Sequence, residues 1–267
     1  MSSTRNPIKH TFETVDTKTA ETEFFLRQMA HPPSEASSFN YLFSAYVSAA
    51  RTTTLALQQF KHLPGFEAWY GPHRDRLKRE PLAKFFLDTR NDHVHGGPYP
   101  VTASMHHRGK SLYYFDRGAN APERQDNDVV SMCRDFFVLL LEVAYDCYVK
   151  LGVHIDPQQY YTREHFAKLG RTIDDAEVEV WGWVCTSLIK EGCDEDDRWY
   201  ELRGQVGECL INHLFYAYLG RPTPQPALPD RIADFAFSPE DRGWTHVPAG
   251  FDSIEDYEKH QAQCTDT

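Results

Sequence analysis

Hydrophobic residues recur along most of the chain at the three- and four-residue spacing of an amphipathic helix. This pattern predicts six helices, near residues 22–29, 38–60, 81–95, 128–151, 175–190 and 196–219. The helix near 128–151 is the most apolar of them, so we expect it to lie at the centre of the fold. Pro64-Gly65 and Gly71-Pro72 interrupt the pattern between the second and third helices.

The periodicity changes between residues 99 and 116. Tyr99-Pro-Val101 and residues 112–115 (Leu-Tyr-Tyr-Phe) flank Arg108-Gly109-Lys110, which predicts a β-hairpin with a glycine turn. The fold class is therefore mainly α: a helical bundle with a small β-hairpin and additional C-terminal helices. We divide the chain into a bundle at 20–152, helices at 153–220 that pack on it, and an irregular Pro-rich tail at 221–267.

Charge is unevenly distributed along the 267 residues, whose net charge is −11. Residues 61–110 carry nine basic and five acidic groups, whereas residues 111–267 carry 14 basic and 29 acidic groups. This balance argues against a general nucleic-acid coat but allows a local phosphate site. The candidate substrate-binding residues are Arg74, Lys78, Lys84, Arg108 and Lys110. A solvated surface without a partner is the alternative.

The chain contains no apolar run near the roughly 20 residues of a membrane helix, and its first residues are polar. None of its six cysteines stands in a C-x-x-C pair, so we expect free thiols in a reducing cytoplasm, with Cys133 and Cys147 in the core. His93 and His95 diverge on a helix, which disfavours a shared metal ion. We expect no membrane association, no metal and no cofactor.

The helix at 81–95 has two distinct faces. Leu82, Phe85, Phe86, Thr89 and His93 share one side, which we expect to face the core. The other side carries Leu87, Arg90, Asn91, Val94 and His95. Two aliphatic residues on an outer face indicate a partner surface, so Leu87 and Val94 are the candidate dimer interface.

The polar members of this second face suit phosphodiester chemistry. The Arg90 guanidinium can hold two phosphate oxygens in a fixed fork, and the His95 imidazole can transfer a proton near neutral pH. The Asn91 amide can orient either group. The aromatic residues Trp69-Tyr70 and Tyr113-Tyr114-Phe115 could stack on bases, but packing is the favoured role for most of them.

Arg90-Asn91-x-x-x-His95 late in a helix resembles the motif of the HEPN superfamily, and the resemblance covers roughly residues 20–152. It implies a bundle of about four core helices, usually dimerised. Many HEPN proteins are metal-independent ribonucleases of toxin–antitoxin, anti-phage or RNA-processing systems, and others only bind. The resemblance makes Arg90, Asn91 and His95 the catalytic candidates. The same string at Arg5–His10 precedes any helical periodicity and is set aside.

From this resemblance we expect a metal-independent RNA endonuclease that cleaves by attack of the RNA 2′-hydroxyl. The expected partners are a second copy of the chain, RNA, and an antitoxin or defence-system protein. The alternative is a non-catalytic HEPN-like module that uses the same face only for dimerisation.

Overall fold

The computed structural model describes residues 12–32, 37–94, 100–107, 110–122, 128–185, 192, 194–207 and 209–226. The helices within these residues are α1 (Glu13–Ala30), α2 (Ser38–Leu57), α3 (Phe66–Arg79), α4 (Pro81–Val94), α5 (Val129–Ile155), α6 (Pro157–Tyr160), α7 (Arg163–Lys168), α8 (Ile173–Trp181), α9 (Glu195–Gln205) and α10 (Asn212–Leu219). Short 3-10 helices lie at Gln58–His62 and Arg117–Ala119. Strands β1 (Val101–His107) and β2 (Lys110–Phe115) form an antiparallel hairpin. The fold is mainly α with one small hairpin and further C-terminal helices, as the sequence predicts.

Helix α5 is the central element, which confirms the expectation for the most apolar helix. It contacts α1, α2, α3, α4 and α10, and it is buried along most of its length. Cys133 and Cys147 are both buried on α5, as expected, and both are free thiols. The main core therefore forms around α5, because a helix that is apolar on most sides must be covered on most sides.

A buried carboxylate and aromatic packing attach the hairpin to this bundle. Asp128 caps α5 by accepting a hydrogen bond from the Ser131 backbone N–H at 3.1 Å, and its other oxygen accepts the Tyr113 backbone N–H at 3.0 Å. The Phe115 ring packs edge-on against Phe85 of α4. The hairpin thus lies directly against the helix that carries the candidate site.

A second, smaller core lies within α6–α9. Its buried apolar residues are Tyr161, Phe166, Ile173, Ala176, Trp199 and Leu202. Beside it, Arg198 Nε and Nη2 donate to the two carboxylate oxygens of Glu177, each at 2.8 Å, and the Glu177 side chain is fully buried. This fork-to-carboxylate geometry joins α8 to α9.

Three of the predicted helices have the wrong bounds. The first helix begins at Glu13 rather than near residue 22, because polar residues such as Thr19 and Thr22 are buried and hide the apolar period. The predicted helix at 196–219 is two helices, since Val206 adopts an extended backbone. The helix predicted at 175–190 ends at Trp181, where Gly182 takes a positive φ of 85°. Residues 186–191 lie outside the described part of the chain.

Three helices were not expected from the sequence. The longest, α3, runs through Gly71-Pro72 although Pro72 lacks the N–H that would bond to the preceding turn. The short helices α6 and α7 carry too few turns to show a period. Every described residue belongs to one compact unit, Met1–Leu228.

Candidate active site on helix α4

Helix α4 positions the candidate residues because one of its sides is fixed in the core. Pro81 is its first residue, where a missing N–H costs nothing. Leu82, Phe85, Phe86 and Thr89 are buried, which confirms the predicted core face for these four residues. Phe86 stacks on Phe136 of α5 with ring centroids 4.7 Å apart. The rotation of α4 is therefore fixed, and its other side must face outward.

The outward side carries the second face that the sequence identifies. Leu87 is 38 % exposed and Asn91 is exposed, while Arg90, three residues after Leu87, is partly buried. Lys84 is also exposed and lies two turns before Asn91, on the same side. Lys84, Leu87, Arg90 and Asn91 therefore share one surface of α4.

The Arg90 guanidinium makes one side-chain hydrogen bond within the described residues. Its Nη1 donates a hydrogen bond to the Asn91 side-chain oxygen at 3.3 Å. Its Nε is buried and has no hydrogen-bond partner. Arg90 makes no ion pair with any carboxylate in the described part of the chain. A guanidinium in this state has N–H donors and a full positive charge to offer an anion.

Part of the predicted site lies at or beyond the end of the described part of α4 and of the hairpin strands. His95 and Arg108 lie outside the described residues, and so do the side chains of His93, Val94 and Lys110. Val94 is the last residue of α4, one helical turn after Arg90, and Lys110 begins β2. The described part of α4 therefore reaches the residue before His95.

The predicted phosphate-binding residues on α3 differ in whether they already pair with a carboxylate. Arg74 is ion-paired with Glu67 at 2.9 Å and with Asp75 at 3.7 Å, and its hydrogen bond to Glu67 raises the pKa of the guanidinium. Lys78 is exposed and makes no ion pair within the described residues. Lys78 and Lys84 are therefore better placed than Arg74 to meet a phosphate, because Arg74 would first have to leave a carboxylate.

Two carboxylates near the site were not considered in the sequence analysis. Asp88 and Asp92 are exposed on α4, and Asp88 lies one turn after Lys84 and three residues before Asn91. They balance the charges of Lys84 and Arg90 on the same helix. The helical spacing of residues 84, 88 and 91 would have revealed them. Their position predicts that α4 attracts a phosphate less strongly than its basic residues suggest.

Most of the aromatic candidates for base stacking are used in packing, as the sequence favoured. Trp69 Nε1 donates to Asp146 at 2.8 Å. Tyr113 stacks on Phe39 with centroids 3.6 Å apart, and Tyr70 is buried. These rings fix the position of α3 and of the hairpin relative to the bundle.

No group of three or more His, Cys, Asp or Glu side chains in the described residues could hold a metal ion. Within the same residues, no helix combines the length and the apolar character needed to cross a membrane.

Comparison with known proteins gives one family. Residues 8–118 match the protein family described as Bacteriophage lambda protein ea47. The match covers less than half of the chain, from before α1 to just after β2, and it includes Arg90, Asn91 and His95. No curated protein and no solved structure matches the chain. The chain is thus similar over its N-terminal 110 or so residues to a bacteriophage protein family.

Proposed function

We propose that the protein is a metal-independent RNA endonuclease of the HEPN type, acting in the cytoplasm as a homodimer. The observation that carries this proposal is the state of Arg90. Its guanidinium lies on the outward side of α4, is steadied by Asn91, and makes no ion pair with a described carboxylate. By contrast, Arg27 is ion-paired with Glu23, and Arg163 is ion-paired with Glu195 and Asp196.

In the proposed reaction, two copies of the second face meet across a two-fold axis and form one cleft. The RNA 2′-hydroxyl attacks the adjacent phosphorus while one His95 accepts its proton. The bond to the 5′-oxygen breaks, and the other His95 protonates that leaving oxygen. The two Arg90 side chains stabilise the negative charge that builds on the phosphoryl oxygens. The products are a 2′,3′-cyclic phosphate and a 5′-hydroxyl.

The similarity to a bacteriophage protein family supports a role in the conflict between phage and host. The matched residues include the whole of α4 and the three residues to which the reaction is assigned. A ribonuclease in such a setting requires control, so an antitoxin or defence-system protein is the proposed additional partner.

The test is an RNA-cleavage assay on the purified protein with EDTA present. We expect cleavage of RNA, no cleavage of DNA of the same sequence, and 5′-hydroxyl ends. His95→Ala should lower the rate by on the order of 10²–10⁴, the usual loss when a general acid or base is removed. His213→Ala is the matched control, because His213 is exposed on α10. Products with a 5′-phosphate would contradict the mechanism.

The alternative is a non-catalytic module that dimerises through the same face. The exposed Leu87 supports this module and the enzyme equally, because both would dimerise through an apolar residue on this face. A protein that forms the dimer but leaves RNA intact, with or without a divalent metal, would establish this second function.

A further inference from the structure

Two buried carboxyl groups lie far along the chain from the candidate site. Asp16 of α1 is 2 % exposed, and Asp156, which precedes α6, is 1 % exposed. Both hold parts of the segment 209–226 that ends the described chain. Neither residue has a role in the proposed nuclease, so the following inference is independent of that function.

Asp16 fastens the first part of this segment. Its Oδ2 accepts the Leu210 backbone N–H at 2.7 Å. Its Oδ1 accepts the Tyr148 hydroxyl of α5 at 3.3 Å and the Cys209 thiol at 3.5 Å. A single carboxyl thereby joins α1, α5 and the turn that leads into α10.

Asp156 binds the last part of the segment 209–226. Gln225 Nε2 lies 3.2 Å from each of its oxygens, and Gln159 Nε2 donates to its Oδ2 at 3.0 Å. Arg203 Nη2 donates to the Pro226 carbonyl at 2.7 Å, next to this contact. Residues 221–226 belong to no helix or strand and are held by these side-chain contacts.

Burial disfavours the ionised form of Asp16, and the nearby acid Asp156 adds a smaller effect in the same direction. The titratable groups that face it are Tyr148 from α5, Cys209 from the segment before α10, and Asp156. The first two are neutral donors, since burial raises the pKa of both, and the third is an acid. The cation near this pair is Arg203, which acts on Asp156. Burial raises the pKa of Asp16 from 3.8 to about 7, against the opposing effect of its hydrogen bonds.

We propose that Asp16 and Asp156 form a proton-controlled clasp that holds residues 209–226 on the ends of α1 and α5 more firmly in acid than at neutral pH. When Asp16 is protonated, the clasp contains one fewer buried charge. When Asp16 ionises, its charge is buried and is repelled by the Asp156 carboxylate, and both costs are relieved when the segment opens and admits water.

The direction of the pH dependence follows from the raised pKa. The closed clasp binds a proton more tightly than the open one, so its stability is complete below the ordinary pKa of 3.8. It is lost progressively as the pH rises toward about 7 and changes no further above that value. Within this window the opening equilibrium should rise about tenfold per pH unit.

Hydrogen exchange of the full-length protein at pH 5 and pH 7.5 tests the clasp. After correction for the intrinsic pH dependence of exchange, we expect protection of residues 209–219 to fall at least about tenfold at the higher pH. Asp16→Asn should remove this dependence. Glu13→Gln is the matched control, because Glu13 is an exposed acid on the same helix. An equal loss of protection in the wild type and in Asp16→Asn would overturn the proposal.

A second measurement begins with the wild-type protein. The ¹³C resonance of the Asp16 carboxyl in the wild-type protein should titrate with a midpoint near neutral pH. In Asp156→Asn the midpoint should move toward the range of an ordinary aspartate, because a facing acid has been removed. A wild-type midpoint below pH 5 would show that the hydrogen bonds outweigh burial, and the clasp would not respond to pH.

Discussion

Arg90 differs chemically from lysine in ways that the proposed reaction uses. Its planar fork can hold two phosphate oxygens, whereas a lysine ammonium offers one point charge. Arg90→Lys should therefore keep part of the RNA affinity and lower the cleavage rate by about 10²–10³, the usual cost of removing a donor that stabilises transition-state charge. Single-turnover cleavage and RNA binding measured on the same variant separate the two effects.

Arg27→Lys is the control for this experiment, because Arg27 is an exposed α1 arginine paired with Glu23 and has no place in the proposed site. It should cleave like the wild type. An Arg90→Lys protein with wild-type cleavage would show that charge alone suffices at this position.

Replacing Asp88 should strengthen RNA binding, in contrast to replacing Arg90. Asp88 lies between Lys84 and Asn91 on the outward side of α4, so it repels a phosphate bound there. Asp88→Asn should tighten RNA binding about two- to fivefold at low salt, and the gain should shrink as salt rises. Binding titrations at two salt concentrations, with Glu13→Gln as the control for an equal change in net charge, measure this effect. Weaker binding by Asp88→Asn would place the RNA elsewhere.

At the scale of the element, helices α4 and α3 show what could and could not be predicted from the sequence. The three- and four-residue spacing was sufficient to assign Leu82, Phe85, Phe86 and Thr89 to the core, because burial of one side of a helix follows directly from its period. The ion pair of Arg74 with Glu67 could not be predicted, because two residues seven apart meet only if α3 is helical. No helix is predicted there from the sequence, since Gly71-Pro72 normally interrupts one.

The two faces of α4 should respond differently to the same truncation. Phe86 is 1 % exposed and Leu87 is 38 % exposed. Phe86→Ala should lower the free energy of unfolding by about 3–5 kcal/mol, through lost burial and the cavity that remains. Leu87→Ala should change it by less than about 0.5 kcal/mol in the monomer, because its side chain already meets water. Urea unfolding of both variants at low protein concentration measures the contrast. Equal losses would mean that Leu87 is packed inside the protomer.

At the scale of the whole molecule, net charge limits how two copies can meet. The chain carries a net charge of −11, so most of its surface repels a second copy. The outward side of α4 is an exception, since the basic Lys84 and Arg90 and the acidic Asp88 lie near the exposed Leu87. The positions of residues 81–95 around a helix axis were enough to predict this outward surface from the sequence. The buried acids Asp16 and Asp156 were not foreseen, because they meet only when residues far apart in the chain come together.

Leu87→Asp tests the dimer and the shared cleft together. If two copies meet through α4, the substitution buries an unpaired carboxylate at the interface, which costs more than a simple loss of apolar contact. The dimer should dissociate, and RNA cleavage should fall with it because neither copy alone supplies a complete cleft. Sedimentation at micromolar concentration and the cleavage assay follow the two properties. Leu55→Asp is the matched control, since Leu55 is 48 % exposed on α2. It should leave both properties unchanged. A Leu87→Asp protein that becomes monomeric yet cleaves RNA at the wild-type rate would show that each copy carries a complete site, and the composite cleft would be wrong.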